Sequence, residues 1–573
     1  MESMRAATSK AAKALSLPAV GALLLAMLPV LAVLLLRGYS CGHDLPFHVG
    51  GWAAARAQLA QGIYPRWDDA AARGAGEPRF VFYPPLTWLL GAALRAVFSM
   101  PHAVDAFVLL ALASCWLMVY LATRRLLPSA PARTLAATLY TLAPYTLFNA
   151  WERAAFGELL AAAWLPLLLA AMLAPRIRVR AVALPVTLLW LTNVPTAIIG
   201  CYLLLPLGLW RLWQAGTPPV DDATTPGLRG RSIVLPVGLG VVLGIAAAGF
   251  FLLPALHAQS TVQLNAAFEP GQRVADNFLL HHTAATRRGV IHVVSVITAQ
   301  ALALLLLATA VLWRRRTDRA RAMLWLALGV GVVGMMLPWS APLWASLPKL
   351  GVLQFPWRLL TVLTLVISIA VAQAVEIWLK SSGRGLLATA GCSALLVVYS
   401  AHIFWLAPDG LEQSGLRRDV QLRIVADRPT LEYTPVGAAN DTLAWTTRQQ
   451  WAARDAAAQP PDAIFAAEPT QASSVALAPV IATLEAAPNP RRWPVRLDTP
   501  ALLVLRLRTD ADWHFTRDGQ PITPVARADG RAAFLLPAGV STLRATWSEG
   551  PEMWLGLGCS LAALLLLWLL RRW

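Results

Sequence analysis

Long apolar runs separated by short polar stretches fill the chain up to about residue 405. The first extends from Leu17 to Leu36, and others near 102 to 123, 132 to 148, 158 to 174, 181 to 192, 197 to 213, 232 to 253, 292 to 313, 322 to 338, 359 to 379 and 385 to 405 predict spanning helices. With Leu555 to Leu570 near the C-terminus the total is about twelve. The run Pro84 to Ser99 stands apart. It is only about 15 residues long and carries Arg95, which predicts a helix lying along the membrane surface.

From His402 to Glu552 the pattern becomes that of a soluble region. Leu503, Leu505 and Leu507 alternate with Val504, Arg506 and Arg508, as in a half-buried strand. Asp518-Gly519 and Asp529-Gly530 are hairpin-turn pairs, and Ala532 to Leu536 and Thr542 to Trp547 read as further strands, together a small β-sandwich outside the membrane. The Ala-rich stretch Ala452 to Ala486 combines a helix with loops. The expected organisation is an α-helical membrane domain over 1–405, whose first outer loop at 37–101 carries the surface helices, a β-rich module over 406–552, and a final membrane helix over 553–573. No internal repeat marks an inverted-repeat transporter.

Composition agrees with this layout: 57% hydrophobic and 14% charged residues, 24 Trp and a mean hydropathy of +0.55 describe a polytopic membrane protein. The formal charge of +17 excludes a nucleic-acid groove once its distribution is followed. Arg124, Arg125 and Arg133, then Arg176, Arg178 and Arg180, then Arg314, Arg315, Arg316, Arg319 and Arg321 sit in short clusters between apolar runs, which is the positive-inside signature. With Pro84 to Ser99 at the surface these clusters and both termini fall inside. Of five cysteines, four lie in apolar runs and only Cys41 sits near a membrane surface, so no disulfide framework is expected. A cleaved signal or a lipoprotein signal ending at Cys41 fits poorly, because the first run is long enough to span and Tyr39-Ser40-Cys41 is a poor lipobox.

Ionisable groups gather on the outer side: His43, Asp44, His48, Asp68, Asp69 and Glu77 in the first loop, Glu152, Arg153 and Glu158 in the second. Glu269, Arg273, Asp276, His281, His282, Arg287 and Arg288 follow, then Lys349 and Arg358. Hardly any charge lies mid-span, where an ion-coupled transporter would place a carboxylate. Asp44, just beyond the first helix and beside Pro46, is placed to take a proton from a hydroxyl nucleophile; equally, it suits the N-cap of a short helix continuing through Val49 to Ala60. His43 and His48 with Asp44 form a weak divalent-metal set lacking another ligand. Trp313, Trp339, Trp344 and Trp357, near span ends, read as interfacial anchors, while Trp67 and Tyr83 could stack on an acceptor sugar.

The first helix, an Asp in a long outer loop, a surface helix opened by Tyr-Pro-Pro and an acidic second loop together resemble the GT-C class of membrane glycosyltransferases. Within it, Tyr64-Pro65-Arg66-Trp67, Phe82-Tyr83-Pro84-Pro85, Glu152-Arg153 with Glu158, Gln354-Phe355-Pro356-Trp357-Arg358 and Glu432-Tyr433-Thr434-Pro435 are similar to a bacterial membrane family labelled 6-pyruvoyl-tetrahydropterin synthase-related; nothing in the chain suits a pterin reaction. The resemblance covers nearly the whole chain. It implies an inverting transfer from a polyprenyl-phosphate sugar to a lipid or glycan acceptor of the cell envelope, at the periplasmic face of a bacterial inner membrane. It makes Asp44 the base and Glu158 its catalytic companion, although better-known members of the class carry an Asp in that loop. Arg358 first and Arg153 second are candidates for the donor phosphate, since guanidinium forks onto phosphate oxygens. His43, His48, Tyr83, Glu152 and Gln354 complete the expected substrate contacts; membrane lipids are the surrounding partner, and no cofactor is implied. Two other readings stand beside it: a non-enzymatic transporter or assembly protein for lipid-linked glycans, and a metal-dependent envelope hydrolase built on His43, Asp44 and His48.

Overall fold

The computed structural model describes residues 17–216, 226–382, 429–440, 463–465 and 491–570. The run at 385–405 and the stretch Ala452 to Ala486 lie outside them. The described chain is mostly helical with a sheet region near its C-terminus. Seven of its helices are long and apolar enough to cross a membrane: Leu17–Leu36, Met100–Arg125, Val194–Gly216, Gly230–Ala247, Arg288–Trp313, Pro356–Trp378 and Pro551–Leu569. Arg319–Met335 and Pro338–Ser346 make an eighth if the two, bent by 83°, are one broken span.

Several runs that read as single helices are broken. Residues 132–148 form Ala130–Thr141 and Pro144–Ala150, and 158–174 form Phe156–Ala161 and Leu165–Met172. In each case a proline stands at the start of the second piece, Pro144 or Pro166, where it needs no N–H partner and cannot continue the preceding helix. The Pro356–Trp378 window is 83% buried against 28% for Leu17–Leu36 and 17% for Pro551–Leu569, so the helix following Arg358 is central and the first and last are peripheral.

The surface run forms the helix Pro85–Val97, which at 13 residues is about 20 Å long, too short for a bilayer core. It packs against the helix Leu45–Leu59, with Trp52 pressed on Gly91 so closely that a Cβ there would lie 2.1 Å from the indole.

The sheet region is two antiparallel sheets. One has the order β1 (Ala463–Phe465), β3 (Ala501–Arg508), β6 (Arg531–Leu536); the other β2 (Arg491–Leu497), β7 (Gly539–Trp547), β4 (Trp513–Arg517), β5 (Gln520–Pro521). Asp518 and Gly519 close the β4–β5 hairpin with φ of 48° and 85°, the pair of left-handed residues that a two-residue hairpin needs. Leu503, Leu505 and Leu507 are buried as the alternation predicts, but Val504 and Arg508 are buried too. Arg508 is received by the Asp529 carbonyl and by Asn440 Oδ1, so it faces protein and not water.

The segment after the Leu45–Leu59 helix is folded into this sandwich. Trp67, 3% exposed, has its ring centroid 5.8 Å from that of Trp513 and 5.6 Å from that of Trp547. Arg66 Nε meets Glu549 Oε1 at 2.7 Å, Arg491 pairs with Asp69, and Arg508 N–H donates to the Ala75 carbonyl at 2.8 Å. Trp67 therefore serves as core of the sandwich and is no sugar platform.

Candidate functional site

The segment 37–44 leaves the first helix and lies directly on the turn 151–154. Gly42 permits this, since a Cβ there would stand 2.3 Å from the Trp151 carbonyl and 2.5 Å from the Ala154 nitrogen. Asp44 N–H donates to the Arg153 carbonyl at 2.8 Å, and His43 uses both its N–H, at 3.3 Å, and its Nδ1, at 2.9 Å, on the Glu152 carbonyl. The two expected loops are thus one structure. Ala154 follows at φ 50°, a left-handed conformation for a residue with a Cβ.

Asp44 does occupy the N-cap position of Leu45–Leu59, but its side chain makes no cap bond. Its exposed carboxylate has no hydrogen-bond partner among the described residues, yet it acts electrostatically on Tyr83, Arg153 and Arg358. A carboxylate released from capping and held next to two cations can accept a proton from a substrate hydroxyl.

Behind it, Glu158 is 3% exposed and fully engaged. Its Oε2 takes Arg153 Nη1 at 2.7 Å and lies 3.3 Å from Arg358 Nε; its Oε1 takes the Tyr145 hydroxyl at 2.6 Å and Asn149 Nδ2 at 3.2 Å. Arg153 also donates to Asn149 Oδ1 at 2.7 Å and lies 4.9 Å over the Trp357 ring. Burial works against the Arg153 charge, but Glu158, Tyr145 and Asp44 raise its pKa above the ordinary value, so it is a permanent cation. Arg358 donates to the Leu353 carbonyl at 2.9 Å and lies 4.8 Å over the Phe355 ring. Two arginines share one buried carboxylate, which leaves a second positive charge opposed only by the exposed Asp44.

Tyr83 is held close by Gly157, where a Cβ would stand 2.8 Å from the hydroxyl. Burial and then Asp44 raise its pKa, so it is a neutral phenol. Gln354, at φ 60°, turns its amide away to donate to the Ala267 carbonyl at 2.6 Å. His48 does not join the rim: it is 3% exposed and stacked 5.0 Å from Phe156. Burial and Arg79 lower its pKa to about 3, which keeps it neutral. Among the described residues no three His, Cys, Asp or Glu side chains gather as a metal-binding group, so His43, Asp44 and His48 do not converge on a common point. His281, His282 and Lys349 are exposed. Trp344 and Trp357, expected as interfacial anchors, are buried at 4% and 3%, whereas Trp339 is 73% exposed.

Tyr145 and Asn149 were not among the residues singled out by the sequence, although they are four apart in Pro144–Ala150 and so share one helix face. Trp357 was seen as an anchor and as part of a motif, and Tyr433, stacked on Phe82 at 5.4 Å and 11°, only as part of a motif.

No protein-family model matches the chain, and no curated protein matches it in sequence; the narrower pterin-synthase-labelled family has no support there. Among solved structures, the chain is similar to the apo-form crystal structure of the Archaeoglobus fulgidus oligosaccharyltransferase, at 13% identity and a TM-score of 0.40. The aligned part covers 72% of this chain and 56% of that one, little more than half its length.

Proposed function

We propose that this protein is a membrane glycosyltransferase of GT-C type that moves a sugar from a polyprenyl-phosphate donor to a hydroxyl of an envelope acceptor at the outer face of a bacterial inner membrane. The observation that carries the reading is the pairing of an exposed, uncapped Asp44 with two arginines that share a single carboxylate. Asp44 takes the proton of the acceptor hydroxyl while that oxygen attacks the anomeric carbon from the face opposite the phosphate. The bond from anomeric carbon to phosphate oxygen breaks, and its electron pair leaves on the polyprenyl phosphate, whose charge Arg153 and Arg358 receive. Glu158 is spent on orienting both guanidiniums and Tyr145, so its role is positioning and not proton transfer.

Transfer from a panel of polyprenyl-phosphate sugars, followed with purified protein in lipid nanodiscs, tests this directly. Asp44→Asn is expected to lower turnover by about a thousandfold or more at unchanged thermal stability, because the side chain makes no cap bond. Equal turnover in the variant removes Asp44 from the mechanism. No transfer by the wild type from any donor moves the weight to transport or assembly of lipid-linked glycans.

A further inference from the structure

A second polar network lies behind the first turn of Leu45–Leu59. Arg79, 3% exposed, is 2.9 Å from Asp68 Oδ2 and 2.9 Å from Glu77 Oε1. It donates from Nη1 to the Phe47 carbonyl at 3.0 Å and lies 4.3 Å over the Phe47 ring. Phe47 is three residues after Asp44, on the turn that presents the carboxylate. Glu77, fully buried, accepts the Thr430 N–H on Oε2 at 2.9 Å and the Thr430 hydroxyl on Oε1 at 2.6 Å. One continuous path thus runs from Thr430 through Glu77 and Arg79 to the Asp44 turn.

Thr430 is the second residue of the strap 429–440, which is tied to two other parts of the molecule. Gln263 N–H donates to the Thr434 carbonyl at 2.9 Å, and Val436 N–H to the Thr261 carbonyl at 2.9 Å. Ala439 N–H donates to the Ala528 carbonyl at 2.7 Å, and Asn440 Oδ1 accepts Arg508 Nη2 at 2.7 Å, both in the sandwich. Between these ties the strap places Tyr433 on Phe82 and brings Glu432 within electrostatic reach of Asp44.

We propose that Thr430, Glu77 and Arg79 are positioning residues for Asp44, and that through them the seating of the sandwich sets the geometry of the catalytic turn. The sandwich is then an integral part of the active site and not an appended recruitment module. Two carboxylates on one arginine leave a negative excess in a dry environment; the two Thr430 donors stabilise it, which fixes where the strap sits. Loss of the hydroxyl loosens the strap and the turn together while the ion pairs persist.

The catalytic half of this inference rests on the glycosyltransferase reading; the mechanical half does not. Full-length protein in nanodiscs is compared as wild type, Thr430→Val and Thr430→Ser, by hydrogen exchange at the amides of 45–52 and of the sandwich strands, and by kcat and donor KM. Thr430→Val is expected to speed exchange at 45–52 by about tenfold and to lower kcat by about tenfold, with donor KM and sandwich exchange unchanged; Thr430→Ser restores both. Thr430→Ala, which removes the same hydroxyl and leaves the Glu77–Arg79 ion pair in place, should do the same and stands in if Thr430→Val misfolds. Wild-type exchange and kcat in Thr430→Val, or a Thr430→Ser variant as impaired as the valine, overturns the inference. If the wild type transfers no sugar, faster exchange at 45–52 upholds the mechanical coupling while the glycosyltransferase reading falls.

Discussion

Two ion clusters are tied to the first turn of Leu45–Leu59, and their stoichiometries are opposite. In one, Asp68 and Glu77 share Arg79, with all three side chains at most 4% exposed. Its negative excess is met inside the protein by Thr430. In the other, Arg153 and Arg358 share Glu158 at up to 12% side-chain exposure, and its positive excess faces the exposed Asp44. A buried cluster whose charged groups find their partners inside the protein belongs to the fold. One whose second cation is opposed only by an exposed carboxylate can receive an outside anion beside that carboxylate.

The largest contrast comes from removing one arginine of each. Arg79→Leu strands two buried carboxylates, and unfolding in nanodiscs should show a loss of about 3–5 kcal/mol. Arg358→Gln leaves Glu158 with Arg153, Tyr145 and Asn149, so stability should change by about 1 kcal/mol or less, while kcat/KM for the lipid-linked donor falls by about a hundredfold. If Arg358→Gln unfolds the protein as readily as Arg79→Leu, the second cluster is as structural as the first and the contrast disappears.

Glu158→Gln sharpens the same comparison at smaller amplitude. The two arginines then lose their shared counter-charge in a desolvated place, and about 2–3 kcal/mol of stability should go with it. Inorganic phosphate should return part of that loss by binding between the guanidiniums, so the melting temperature of the variant should rise with phosphate more than that of the wild type. Chloride at equal ionic strength controls for screening. A variant indifferent to phosphate would mean that the arginines do not form an anion-receiving pair.

Much of this was legible in the sequence, and for identifiable reasons. The apolar runs, the alternation at Leu503, Leu505 and Leu507 and the Asp518-Gly519 hairpin are local patterns; among the described residues the structure makes helices of the runs, several of them broken, and carries the other two. Asp44, Arg153, Glu158 and Arg358 were named because charged residues beside apolar runs are conspicuous. What escaped was whatever depends on a partner far along the chain. Thr430 meets Glu77 353 residues away, Arg66 meets Glu549 483 residues away, and Trp67 becomes core only because a sandwich assembled from 491–547 surrounds it. His48 misled in the same manner. An imidazole near a helix end looks available, and only the ring of Phe156 across the fold makes it inert.

That buried His48 offers the mildest test, because it reports whether the closed cluster stays dry. Its pKa is lowered from 6.5 to about 3 by burial first and the Arg79 charge second. The unfolded chain therefore takes up a proton before the folded one does. The contribution of His48 is fully present above about pH 6.5, shrinks as the pH falls from there toward 3, and is gone below that. The slope inside this window is roughly 1.4 kcal/mol per pH unit, so between pH 7 and pH 5 the wild type should lose roughly 2 kcal/mol to this group. His48→Phe, which fills the same aromatic stack without a titrating nitrogen, should lose correspondingly less over that interval. Equal acid sensitivity in the two proteins would mean that water reaches the imidazole and returns it to an ordinary pKa. The Arg79 cluster beside it would then be as open as the Glu158 cluster, and the difference between the two regions would lie in charge alone.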